Sequence, residues 1–134
     1  MELKHIRIVC AVLGLVPIFI GLRGMLFGLE HLIPGAEISA GPDGQYRYLS
    51  AIYLGFGFLI LWIQFRLDTE IQLFRILISI VFVAGLARAA AIVVYGLPDA
   101  SLLLATAFEL VFPPILIIWH GKIIKAKGFM PTNL

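Results

Sequence analysis

Residues 71–95 read IQLFRILISIVFVAGLARAAAIVVY, an apolar run broken only by Arg75 near its start and Arg88 within it. Crossing ~30 Å of hydrocarbon takes about 20 helical residues, so this stretch is long enough to span a bilayer as one helix. Three more stretches of the same kind occur, roughly 6–33, 47–65 and 101–124. With short links they use nearly the whole chain of 134 residues, leaving no room for a separate soluble domain. The expectation is an all-α polytopic membrane protein, a four-helix bundle forming one integral membrane domain over 1–134.

Composition agrees. The chain is 61% hydrophobic and only 13% charged, where soluble domains carry about a quarter charged residues. The net charge of +2 does not point to nucleic acid, because the basic residues sit at helix ends. Lys4, Arg7, Arg66, Arg75, Lys122, Lys125 and Lys127 fall on one side, against Arg47 on the other. Lys and Arg gather on the cytoplasmic side of membrane proteins, so both termini are expected in the cytoplasm, in a bacterial inner membrane. The first helix is expected to be retained, since no small-residue cleavage site follows its apolar run.

Punctuation divides the spans. Pro34-Gly35 ends the first helix, and Gly41-Pro42-Asp43-Gly44 is expected to form a turn in the longest loop, Ala36 to Tyr46. Arg66, Asp68, Thr69 and Glu70 make a polar turn, and Gly96-Leu97-Pro98-Asp99 ends the third helix. Gly14, Gly21, Gly24 and Gly28 give the first helix a small-residue face on which another helix can pack closely. Pro113-Pro114 is expected to kink the fourth helix. The tail, Lys125 to Leu134, is polar and expected to be loose.

Arg23, Arg88 and Glu109 lie inside the spans. An ionised side chain at mid-helix costs roughly 2.5–3.5 kcal/mol on insertion scales, so the three are expected to face inward, paired or solvated. At 1.5 Å per residue they lie about 15, 12 and 13 Å below the outer helix ends, one layer in the outer half of the membrane. Glu30 follows Arg23, and Tyr95 follows Arg88, by two helical turns on the same face; Arg47 begins the second helix at the mouth. These six residues are the expected ligand-binding set. A Glu109 bridge between the arginines serves either helix registry or recognition of an anionic or strongly polar ligand.

Other chemistries lack their residues. His5, His31 and His120 are far apart in sequence, so no metal site is expected; Glu30, His31, Glu37 and Asp43 read as a solvated outer rim. Cys10 is the only cysteine, and no Ser-His-acid set is evident. No mid-span histidine suits haem, and no cofactor is expected. Gly55 and Gly57 lie in an apolar helix and read as packing rather than as a nucleotide loop.

Arg47 with Tyr53-Leu54-Gly55-Phe56-Gly57, then Ala84-Gly85-Leu86-Ala87-Arg88 with Gly96-Leu97-Pro98, then Glu109-Leu110 with Pro113-Pro114, occur in an order that resembles a bacterial membrane family. It is known as domain of unknown function 4345, small four-helix proteins similar to DoxX-type membrane proteins. The resemblance implies the fold, brings no established activity, and points to Arg47, Arg88 and Glu109. The resulting expectation is a protein that binds an amphipathic small molecule, a lipid headgroup or quinone. The alternatives are an accessory subunit of a larger membrane complex, docking through the glycine face of helix 1 or the alanine face of helix 3, and an enzyme using Glu109 or His31 on a membrane-soluble substrate. Partners are expected to be membrane lipids, with a membrane-protein partner or a homo-oligomer also open, and no nucleic acid.

Overall fold

The computed structural model describes residues 3–128. They form four long helices, α1 (Leu3–Phe27), α2 (Ala40–Ile63), α3 (Ile71–Tyr95) and α4 (Ala100–Ala126), with one 3-10 turn, Gly28–His31, after α1. The helices have 24 to 27 residues, or roughly 36–41 Å at 1.5 Å each. All four are long and apolar enough to cross a membrane. Their outward faces agree: Val93 is 86% exposed and Leu104 71% exposed, surfaces that suit lipid and not water. The chain is a multi-pass membrane protein.

The described residues fall into two compact units, 7–65 and 66–128 with 3–6. In the first, α1 and α2 form a hairpin whose seam is made of small residues. A methyl group added at Gly21 would lie 2.6 Å from the Leu54 nitrogen and the Ser50 carbonyl oxygen, and one at Gly57 2.7 Å from the Gly14 carbonyl. Gly24 meets Ser50 and Tyr46, and Gly14 meets Leu61. The missing side chains let two backbones come into contact, the general route to helix association where lipid removes the hydrophobic drive. The small-residue face of α1 is therefore filled by α2.

Two boundaries differ from the sequence expectation. The first helix does not run as α-helix to residue 33: it stops at Phe27, where Gly28 takes φ +63 and tightens the chain into the 3-10 turn. The second helix starts at Ala40 rather than Arg47, with Ser39 as N-cap. Gly41-Pro42-Asp43-Gly44 is the first turn of α2 and not a loop. Proline is tolerated there because the first N–H groups of a helix have no intrahelical acceptor, and Asp43 is favourable at the positive end of the helix dipole.

In the second unit, α3 and α4 pack against each other through Gly85, where an added methyl would lie 2.9 Å from Glu109 Cβ. Both occupy the ranges expected from hydropathy, and α4 runs unbroken through Pro113 and Pro114. The first residues of the expected tail, to Ala126, are helical; the rest of that expectation, from residue 129, lies outside the described residues.

Asp99 caps α4, accepting from the Ser101 N–H (3.0 Å), the Leu102 N–H (3.1 Å) and the Ser101 hydroxyl. The Ser101 hydroxyl bond and then the Leu102 amide hold the Asp99 carboxyl below the usual carboxylate range. Its stabilisation is therefore complete above the unfolded-state value, about 4, and lost as pH falls through the lowered folded value. Amide protection factors at residues 101–103, which are corrected for the intrinsic pH dependence of exchange, should fall on acidification through that window. Asp99→Asn, which still caps, should remove the pH dependence; identical acid profiles for both proteins would contradict this.

Candidate functional site

Arg88 and Glu109, chosen from sequence by the cost of burying them, meet in the α3–α4 unit. Arg88 Nε lies 3.2 Å from Glu109 Oε2, with the side chains 39% and 14% exposed. Gly85, one turn before Arg88, permits this approach by letting α4 close onto α3 at Glu109. The contact has ion-pair distance but not hydrogen-bond alignment, and Oε2 is buried without a hydrogen-bond donor among the described residues. Coulomb attraction holds the pair, and such attraction is strong where water is excluded.

Beside the pair, α3 and α4 flank an open crevice of about 390 Å³ lined by Arg88, Ala91, Ile92, Tyr95, the Gly96-Leu97-Pro98 turn, Leu102 and Thr106. Its volume falls in the ~300–1,000 Å³ range of small-molecule sites. Gly96, at φ +91, turns the chain after α3, and Leu97 and Pro98 of that turn add to the lining. Thr106 donates its hydroxyl hydrogen to the Leu102 carbonyl at 2.9 Å, so its donor is already used. Tyr95 stands at the rim, 87% exposed. Arg88 is the one charged residue of this lining; Glu109 stands behind it and does not line the crevice.

Arg47, expected at the mouth of a pocket, is engaged in its own hairpin. Its Nε donates to Asp43 Oδ2 at 2.7 Å, and Nη1 donates to the carbonyls of Met25 (2.6 Å) and Leu26 (3.0 Å). Asp43 also accepts from the Leu29 N–H at 2.8 Å. One arginine thus caps the last carbonyls of α1, which a helix end leaves unpaired, while its carboxylate partner satisfies an amide of the 3-10 turn. Glu30 lies nearby, lining a smaller cavity of about 210 Å³ with Phe27, Ile38, Ser39, Ala40, Asp43 and Arg47. Arg23 sits one turn before the end of α1, exposed. The structure therefore brings Arg88 and Tyr95 to one crevice, with Glu109 against Arg88, and Arg47 and Glu30 to another.

His31 contacts the Gly28 carbonyl through Nδ1 at 2.5 Å. Among the described residues no three of His, Cys, Asp and Glu gather as metal ligands would. Sequence reading missed two elements. Asp43 becomes an i, i+4 partner of Arg47 only if α2 begins before it, a spacing that the Gly-Pro punctuation concealed. His120 is fully buried, with Nε2 2.7 Å from the Leu67 carbonyl and its ring 4.3 Å from that of Phe74. That pairing fixes the tautomer with the proton on Nε2 and ties the α2–α3 link to α4. No local signal marks a partner 53 residues away.

Neither a curated protein nor a solved structure matches the chain. A family model does match, described as a domain of unknown function (DUF4345), over residues 5–120. That span takes in all of α2 and α3, the Arg88–Glu109 pair and both proline positions of α4, and the chain belongs to this family.

Proposed function

We propose that the α3–α4 crevice holds the apolar part of an amphipathic small molecule, a lipid or a quinone, with its polar head on Arg88. The observation that carries this is the composition of the lining: apolar walls and one arginine, with Glu109 as its counter-charge at 3.2 Å. Few convergent polar groups in an apolar cleft are the usual form of a ligand site, and an ionisable residue inside a span points to function by default. Tyr95 at the rim adds a hydroxyl for the head group.

Two other readings have less support. Docking of an accessory subunit through the glycines of α1 conflicts with α2 already filling that face, leaving the exposed alanines of α3. Acid/base catalysis by Glu109 conflicts with its position behind Arg88 rather than in the crevice.

The test is native mass spectrometry of the protein extracted gently from its host's membranes, beside Arg88→Ala and Ala91→Phe, the second filling the crevice without touching a charge. A small adduct on the wild type, lost from both variants, is the expected result. A protein partner retained by all three, with no small adduct, would make the chain an accessory subunit instead.

The seven-to-one distribution of Lys and Arg supports a bacterial inner-membrane protein with both termini cytoplasmic. With Cys10 replaced by serine, single cysteines at Glu37 and Lys127 should label from opposite faces of intact cells, Glu37 from outside. Labelling of both from the same face would reject this topology.

A further inference from the structure

The head group that Arg88 can receive is constrained by charge, an argument that rests on the crevice being a ligand site. A guanidinium carries five N–H donors and no acceptor. Glu109 approaches through Nε, which leaves the terminal amines to donate to a second group, so the ligand's head must accept. Arg88 is the one charged residue in the lining, and its charge is already opposed by Glu109 at 3.2 Å. The remaining polar side chains are neutral: Thr106, whose proton is committed to Leu102, and Tyr95 at the rim.

An anionic head on Arg88 would bring the arginine, Glu109 and the ligand to a net charge of minus one beside apolar walls, where an uncompensated charge is strongly disfavoured. A cationic head would meet Arg88 directly and be repelled. An uncharged acceptor keeps the balance and uses the free donors. We infer that the crevice selects an uncharged amphiphile whose head is a carbonyl-type acceptor, an ester, amide or quinone oxygen, and discriminates against an anion with the same tail. Glu109 is then a specificity-determining residue that never touches the ligand. It cancels the charge that would otherwise attract phosphates and carboxylates.

The discriminating experiment uses two probes with similar chains, methyl laurate, which is neutral with an ester carbonyl, and dodecanesulfonate, which is anionic at all working pH. Affinities for the full chain in neutral-lipid nanodiscs are compared by native mass spectrometry for wild type, Glu109→Gln and Ala91→Phe. The wild type should prefer the ester by about tenfold or more. Glu109→Gln, which leaves Arg88 without a counter-charge, should reverse that preference, and Ala91→Phe should weaken both probes. Should Glu109→Gln fail to fold, the wild-type ratio still decides. A wild type that takes the sulfonate as tightly as the ester, with both weakened by Ala91→Phe, overturns the selectivity while leaving the crevice as a site. An ester preference unchanged by Glu109→Gln overturns the charge-balance explanation. Binding of both probes that ignores Ala91→Phe removes the crevice reading itself.

Discussion

Replacing Gly21 by leucine is expected to separate α1 from α2 and leave little protein that survives extraction as a single folded species. A methyl at this position would already lie 2.6 Å from backbone atoms of Leu54 and Ser50. Backbone within a helix cannot rotate aside as a long side chain can. Overpacking a core costs typically 1–3 kcal/mol where neighbours can shift; here about 3 kcal/mol or more is expected, because the obstacle is the partner helix itself. Gly57→Leu should behave alike, since its obstacle is the Gly14 carbonyl. Gly55 provides the contrast: nothing stands within 4 Å of its would-be methyl, so Gly55→Ala should be neutral or stabilising by up to ~1 kcal/mol through helix propensity. Thermal unfolding followed by size-exclusion chromatography separates these outcomes. Equal tolerance at positions 21 and 55 would mean that the hairpin seam is not where the structure puts it.

The second large effect concerns the pair inside the span. Removing one partner of a buried ion pair typically costs 3–5 kcal/mol, because the other charge remains without compensation. Arg88 is 39% exposed, so the expectation for Arg88→Leu is discounted to roughly 2–3 kcal/mol. The double variant Arg88→Leu with Glu109→Leu should recover most of that loss, since apolar residues of similar volume often replace a buried pair at little cost. The thermodynamic cycle should therefore give a favourable coupling of about 1–2 kcal/mol. Strict additivity would place the two residues in separate environments, contrary to their 3.2 Å contact. A double variant that folds but retains no ligand would also separate the pair's structural part from its part in recognition.

Much of this was legible in the sequence, for reasons that differ between elements. Hydropathy alone delimits α3, because 71–95 is bounded by a polar turn on one side and Gly96-Leu97-Pro98 on the other. The glycines of α1 foretold a close packing surface, though not that α2 would occupy it. That Arg88 and Glu109 need partners follows from energy, since both lie inside spans where an unpaired charge is costly, and their similar depth allows the two to meet; the pairing itself comes from the structure. Boundaries at the outer end were misread because glycine and proline have two meanings: Pro42 begins a helix as readily as it makes a turn, and Gly28 ends an α-helix without ending the span. Arg47 reads from sequence as a pocket residue because its carboxylate partner, Asp43, sits in a Gly-Pro stretch that resembles a loop and is helical in the structure. His120 gave no sign at all, since its acceptor is the main-chain carbonyl of Leu67 in the α2–α3 link, 53 residues away.

The most direct measurement is photocrosslinking in the native membrane, with a photoreactive amino acid at Ile92 inside the crevice and, separately, at Val83 on the exposed surface of the same helix. The crevice reading predicts one dominant small adduct at Ile92 that is absent at Val83, where bulk phospholipid alone should be captured. The same spectrum of phospholipids at both positions would contradict it, leaving the space beside Arg88 as ordinary lipid-facing surface.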